Sequence, residues 1–276
     1  MISVVLQKER CFPVGKLICT PKEAMAVSAS RLIKNGDTVI VGTGLPLVAS
    51  ILAKHTHAQD AILIMEAGPY DGNPLALPSC VADPRGFYRS PLICDPVQLM
   101  GQFLQNGRIK VGFLGGAQVD KYGNVNSTCI GDYRNPHVRF EGSGGASDIA
   151  ALAHRFYIII SHEARRLVER VDYLTSPGWY CYRNPPSREL VRREELGMRG
   201  GPEAVVTTMG VMKFDQETKE MFVAEYYEHM GVTLDVLKEN TGFEIDVSRA
   251  IPASSPTEEE LHILRTMVDP EGIYMN

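Results

Sequence analysis

The chain has 276 residues, of which 44% are hydrophobic, 22% charged and 8% aromatic, enough for one large or two small domains with a sizeable core. Plentiful apolar residues and a formal net charge of only -5 exclude disorder, and the missing basic excess argues against nucleic acid as a partner. No apolar run approaches the roughly 20 residues that span a bilayer, which argues against a membrane protein.

The N-terminus, MISVVLQKERCFPVGK, places charges where a secretory leader needs an apolar stretch, so a cytoplasmic chain is expected, with residues 1-20 an extension. Residues 22–35 carry Ala, Val and Leu at helical spacing and predict a helix capped at Gly36. Thr38 to Gly42 is a continuous apolar run, suited to a strand buried on both faces. It enters Thr43-Gly44-Leu45-Pro46, after which Leu47 to Lys54 reads as a helix. Ala61 to Met65 is a second such strand, ending at Glu66-Ala67-Gly68, and Lys110 to Leu114 a third, ending at Gly115-Gly116. Phe156 to Ser161 is a fourth, the charged stretch His162 to Glu169 reads as helical, and Val171 to Leu174 as a fifth strand. Ser176 to Pro202, rich in Pro, Gly and Arg, predicts an extended loop. Ala204 to Val211, Met221 to Ala224 and Phe243 to Val247 read as further strands. Thr233 to Asn240 and Pro256 to Thr266 read as short helices, the second capped by Ser255 or Thr257.

Strands alternating with helices at this spacing predict an α/β fold: an open, mainly parallel sheet with flanking helices. Sheets of that kind bind ligands at the carboxyl ends of their strands, where the glycine turns lie. Six cysteines (11, 19, 80, 94, 129 and 181) form no C-x-x-C pair, and the seven histidines are scattered. Reduced thiols and no metal site are expected.

Three turns hold residue types with chemical capability. In Ile62-Leu63-Ile64-Met65-Glu66-Ala67-Gly68-Pro69 a carboxylate directly follows a buried strand, and the glycine lets a ligand approach. Glu66 could serve as nucleophile, general base or metal ligand; the alternative is a capping or ion-paired acid at the sheet edge. Gly142-Ser143-Gly144-Gly145-Ala146 precedes a helix and presents backbone N–H groups to a phosphate or an oxyanion, or is a purely structural turn. It has neither the Walker A nor the dinucleotide spacing. Asp120-Lys121-Tyr122-Gly123-Asn124 is a tight turn between extended segments; Gln118 and Asn126 beside it could bond substrate, though turn architecture is the favoured use. Arg165, Arg166 and Arg170 read as a solvated helix face, and Trp179 as either core or subunit contact.

Taken together, Val41-Gly42-Thr43-Gly44-Leu45-Pro46, Met65-Glu66-Ala67-Gly68, the run Val111 to Asp120 with Tyr122-Gly123-Asn124, and Gly142 to Asp148 resemble family I coenzyme A transferases. His162-Glu163, Val171-Asp172, Thr175-Ser176-Pro177-Gly178, Gly231-Val232-Thr233 and Thr241-Gly242-Phe243-Glu244 extend the likeness over roughly residues 25 to 270. The match is to the B (beta) subunit of the glutaconate CoA-transferase-like branch, which implies the CoA-transferase / NagB-like fold over residues 21–276. The resemblance implies that Glu66 is the nucleophile that attacks an acyl-CoA thioester, and that Gly142, Ser143, Gly144, Gly145 and Ala146 form the acyl pocket and donate N–H groups. Gly42, Thr43 and Gly44 are implied as further substrate contacts beside Gln118 and Asn126. It also implies coenzyme A thioester as substrate with no permanently bound cofactor, a small, even dicarboxylic, acid as acceptor, and an A (alpha) subunit in an (AB)2 or (AB)4 oligomer. Tyr70 and Asp71 depart from the family's small-residue run and are expected to crowd or polarise the acyl pocket. Hydrolases, including ring-opening ones, and decarboxylases of CoA thioesters share the fold; either activity, or a non-catalytic binding subunit, is the alternative.

Overall fold

The computed structural model describes residues 19–182 and 189–276. Residues 1–18 of the expected extension, Cys11 among them, and residues 183–188 of the expected loop lie outside the described residues.

The first helix, α1 (Pro21–Arg31), starts where Thr20 and Glu23 form a reciprocal capping box. It ends at Arg31, short of the expected boundary at Gly36, which sits instead in a turn with φ 74°. Strand β1 (Thr38–Val41) leads into α2 (Leu45–His55), and β2 (Ile62–Met65) follows. Two short strands, β3 (Pro69–Tyr70) and β4 (Leu92–Ile93), and a wide-turn helix over Gln98–Leu104 precede β5 (Val111–Gly115). Next come β6 (Gln118–Asp120), β7 (Val125–Asn126), the hairpin β8 (Cys129–Asp132) and β9 (Asn135–Arg139), and α3 (Ala146–Leu152). The chain continues through β10 (Arg155–Ile159), β11 (Leu167–Val168), β12 (Tyr180–Tyr182) and β13 (Leu190–Arg192). Strands β14 (Pro202–Val206), β15 (Gly210–Phe214) and β16 (Met221–Tyr226) precede α4 (Leu234–Glu239), β17 (Ile251–Pro252) and α5 (Glu258–Ile263).

Ten strands form one sheet in the order β17-β16-β15-β14-β10-β5-β1-β2-β3-β4. The five central strands, β14 to β2 in that order, are parallel; antiparallel pairs extend both sides, and β17 closes one edge in parallel with β16. This is the expected open, mainly parallel α/β sheet. Its central strands alternate sides residue by residue. Val39, Val41, Leu63, Met65, Val111, Phe113, Tyr157 and Ile159 face one buried cluster with α1 and α2. Ile40, Ile64, Leu114, Phe156 and Ile158 face another, with α3, α4 and the wide helix. Two-sided burial accounts for the continuous apolar runs in the sequence.

Several sequence expectations need correction. His162 to Glu169 is not a helix: Glu163 bonds both Arg165 and Arg166 across turns, and the segment ends in β11. Val171 to Leu174 is irregular; the strand lies earlier, where Leu167–Val168 pairs in parallel with β6. Ala204 to Val211 is two strands rather than one. The Thr207 hydroxyl accepts from the amides of Met209 and Gly210 and closes a turn between β14 and β15 without proline or asparagine. Phe243 to Val247 forms no strand; Phe243 and Ile245 pack in the second cluster, and a lone backbone bridge joins Asp246 to Phe222 of β16. Ser176 to Pro202, expected to be loop, contains the β12–β13 hairpin and a single helical turn at Arg193–Leu196. Trp179 packs with the second core cluster, its Nε1 donating to the Pro202 carbonyl at 2.8 Å.

Among the buried polar side chains, burial displaces the protonation of His162 away from the neutral pH range and that of Asp120 toward it. His162 is 2% exposed, with Nδ1 at Thr207 Oγ1 and Nε2 at Thr241 Oγ1, each 3.0 Å away. Burial pushes its pKa down to about 4. Asp120, 1% exposed, accepts from the amides of Tyr122 and Asn124 and from the Asn124 side chain, yet burial pushes it up to about 6.

Candidate active site

Strand β2 delivers Glu66. Side chains alternate, so Glu66 leaves the strand on the Ile64 side, toward α3, while Leu63 and Met65 face α1 and α2. Gly68, at φ 116°, turns the chain back immediately: its N–H donates to Met65 O, its C=O accepts from Cys94 N, and a Cβ there would lie 1.9 Å from the Cys94 carbonyl oxygen. The chain therefore leaves the strand without covering the carboxylate, which is half-buried.

The glycine loop meets that carboxylate. Gly145 N–H donates to Glu66 Oε1 at 2.8 Å. A Cβ on Gly145 would stand 2.6 Å from the same oxygen, so its missing side chain is what admits the carboxylate, while one on Gly144 would meet that oxygen at an ordinary 3.7 Å. The loop is held from behind by Ser127, whose hydroxyl donates to Gly142 O at 2.8 Å and whose C=O accepts from Gly142 N. Helix α3 follows at Ala146, and Gly112 lets its Ile149 pack hard on β5, since a Cβ there would sit 2.2 Å from Ile149 Cγ2. Among the described residues no cation pairs with Glu66, so its charge is met by an amide dipole and solvent.

The other predicted site residues fall into two groups. Register pairs Val41 with Met65, so Gly42, Thr43 and Gly44 leave the neighbouring strand end beside Glu66. The Tyr274 hydroxyl lies against Thr43 and Gly44 and donates to Pro78 O at 2.6 Å. Gln118 and Asn126 are buried and bond one another: Asn126 Nδ2 donates to Gln118 Oε1 at 2.8 Å and to Cys129 O at 2.7 Å, and Gln118 Oε1 also accepts from Asp172 N. Their arrangement is that of the favoured turn scaffold.

Asp71 does not polarise this site as expected. Its carboxylate is paired with Lys54 Nζ at 2.6 Å on the α2 side, and the Tyr70 ring packs on Phe103 at 5.5 Å. Met100 is the neighbour the sequence did not disclose. Its Cε lies 2.5 Å from the point where a Gly145 Cβ would be, a point Glu66 Oε1 approaches to 2.6 Å. It sits on the wide-turn helix over Gln98–Leu104, a local geometry that recurs at functional sites. A spacing of 34 positions from Glu66 carries no sequence signal of that proximity.

An open cleft of about 740 Å3 adjoins the loop, lined by Gly115, Gly116, Ser127, Gly142, Arg139 and Arg166 among others. A larger hollow of about 1130 Å3 lies elsewhere, around Lys121, Asp215 and Arg249, and shares no residue with the surroundings of Glu66. Two of its cations are already paired, Lys121 with Glu169 at 2.8 Å and Arg249 with Asp215 at 2.9 Å. Among the described residues no group of three His, Cys, Asp or Glu side chains could hold a metal ion, and no helix is long and apolar enough to cross a membrane. A half-buried carboxylate, held by one amide beside a glycine loop and an apolar wall, can act as an oriented nucleophile or base.

Residues 22–240 match the family model for coenzyme A transferase. The chain is 43% identical to the beta (B) chain of glutaconate CoA-transferase from Acidaminococcus fermentans over 257 residues, 91% of this chain and 93% of that one. It is 38% identical to the corresponding beta (B) chain of 3-oxoadipate CoA-transferase from Pseudomonas knackmussii, covering 89% of this chain and 92% of that protein. The crystal structure of glutaconate coenzyme A-transferase from A. fermentans superposes with a TM-score of 0.84 at 40% identity, covering 94% of this chain and 98% of that one.

Proposed function

The chain belongs to the coenzyme A transferase family, and from that premise we propose that it is the catalytic beta subunit of a heteromeric enzyme that moves CoA from an acyl-CoA to a small, even dicarboxylic, acid. The observation that carries the proposal is the Glu66 carboxylate, unpaired among the described residues and oriented by Gly145 N–H. The Glu66 oxygen attacks the thioester carbonyl, the C–S bond breaks, and CoA thiolate leaves an acyl-glutamyl anhydride. Thiolate attack on the glutamyl carbonyl expels the acyl group as its carboxylate and leaves a glutamyl-CoA thioester. The acceptor carboxylate attacks that thioester, giving a new anhydride and thiolate. Attack of the thiolate on the acceptor's carbonyl forms the product thioester and frees Glu66. Charge collects on an oxygen at each addition, and Gly145 supplies a fixed donor next to the glutamyl group. The chemistry runs with an ionised carboxylate and needs no metal or resident cofactor; coenzyme A enters as the thioester substrate.

Loop Gly142 to Ala146, with Met100 opposite, forms the acyl side of the site, and Gly42 to Gly44 its neighbouring rim. The alpha subunit closes this crevice in an (AB)2 or (AB)4 assembly, and the enzyme works in the cytoplasm. The test is to incubate the complex with acyl-CoA, reduce it with borohydride and map the product by mass spectrometry. Modification of Glu66 is expected; a complex that turns over while Glu66 stays unmodified removes the mechanism. Omitting the acceptor acid should limit the reaction to one equivalent of donor carboxylate per site, with CoA kept on Glu66, whereas sustained release of free CoA would mark a hydrolase.

A further inference from the structure

The segment after β13 places two arginines against the far ends of the elements that bracket Glu66. A helix leaves its last four carbonyls without intrahelical partners. In α3 those belong to Ile149, Ala150, Ala151 and Leu152. Ile149 O accepts from Ala153 N at 3.0 Å. The other three are taken by one segment: Ala150 O by Arg193 Nη2, Ala151 O by Arg199 N at 2.7 Å, and Leu152 O by Arg199 Nη1 at 3.0 Å. Arg199 also reaches the end of the wide helix that carries Met100, donating to Gln105 O at 3.2 Å.

Arg193 is an unusual residue for such a task. It is 0% exposed, and its remaining bonds go to Pro177 O, Gly178 O and Arg199 O at 3.0, 2.9 and 2.7 Å. All its acceptors are backbone carbonyls, and among the described residues no carboxylate pairs with it. Burial pushes its guanidinium down to about 10. A planar cation with donors in fixed directions suits several convergent carbonyls, which a lysine cannot match.

We propose that Arg193 and Arg199 are positioning residues for the reaction at Glu66. By seizing the C-terminal carbonyls of α3 and of the wide helix, they fix where Gly145 N–H and Met100 stand relative to the carboxylate. The inference rests on Glu66 being the nucleophile. Neither arginine touches Glu66, so their effect falls on the placement of the donor rather than on substrate binding.

The experiment uses the reconstituted complex with three variants of this chain: Arg199→Met, which keeps the backbone bond to Ala151 O, Arg193→Lys and Arg193→Ala. Each should lower kcat about ten- to a hundredfold, the cost of a small misplacement of reacting groups. KM for acyl-CoA should stay within about twofold. Added guanidinium at non-denaturing concentration should restore Arg193→Ala several-fold, while sodium chloride at equal ionic strength should not. Borohydride trapping at Glu66 counts competent sites in every preparation. Wild-type kcat in Arg199→Met and Arg193→Lys, with wild-type trapping, overturns this inference alone; so does a rate loss that merely tracks the fraction of competent sites. If Arg193→Ala does not assemble, the other two variants decide. Turnover by the unaltered complex without trapping at Glu66 removes the underlying reading, and this inference with it.

Discussion

The amide of Gly145 donates to Oε1 of Glu66 at 2.8 Å, joining residues 79 positions apart. The end of β2 and the start of α3 converge to make that bond. It gives a half-buried acid a fixed orientation, and several consequences can be measured.

Glu66→Gln keeps size and shape and still offers an oxygen to Gly145 N–H, but it cannot form the anhydride. In the assembled complex kcat should fall at least about a thousandfold with the melting temperature almost unchanged. Steady-state CoA exchange beside a thermal melt checks it; near-normal exchange would reassign Glu66 to binding.

Gly145→Ala separates space from backbone preference. Gly145 has φ -81° and ψ -1°, a conformation alanine adopts freely, so the fold should tolerate the change. The new methyl would meet Met100 Cε at 2.5 Å and Glu66 Oε1 at 2.6 Å, and one of them must move. A loss of kcat of about a hundredfold, the scale of one misplaced oxyanion donor, is expected. Unaltered kinetics would show that the carboxylate does not work from this position.

Asp71→Asn should leave the chemistry alone, because the Asp71 carboxylate is committed to Lys54. Both partners are about a third exposed, so the stability cost should be under about 1 kcal/mol. A change in acyl selectivity would place Asp71 in the acyl pocket after all.

His162 sets an acid limit on stability. Its folded pKa is pushed down to about 4, against 6.5 for an unperturbed imidazole, so between those values the unfolded chain binds a proton that the folded one refuses. Stability from this group is complete above pH 6.5 and is lost as pH falls toward 4. Asp120, raised to about 6 from 3.8, works in the opposite sense: over that window the folded chain binds its proton more tightly and gains stability on acidification. Urea midpoints between about pH 7 and 4.5 should therefore decline less steeply in His162→Gln than in wild type, and more steeply in Asp120→Asn. Identical slopes in all three would remove both groups from the balance.

Much of this protein was open to reading from its residues alone. Strands buried on both faces need apolar side chains at nearly every position, so Thr38 to Gly42, Ala61 to Met65 and Phe156 to Ser161 stood out as continuous apolar runs. An acid directly after such a run, and glycines directly before a helix, conflict with local preference, which is why Glu66 and Gly142 to Ala146 drew notice. Local pattern failed where tertiary partners decided. A threonine hydroxyl made the β14–β15 turn that no glycine-proline signal announced, and Glu163, bonded to Arg165 and Arg166 across turns, imitated a helix surface.

The sequence by itself determined the α/β class, the central strands β1, β2, β5 and β10 to within a residue or two, and the residue types available for chemistry, because those follow from hydrophobic period and backbone sterics over a few neighbouring positions. Only the tertiary structure decided that Gly145 is the amide that meets Glu66, that Met100 stands beside them, that Asp71 turns away to Lys54, and that Arg193 and Arg199 hold the helix behind. Those are contacts between distant segments, set by how a twisted sheet brings its strand ends and covering helices together, and no local spacing encodes them.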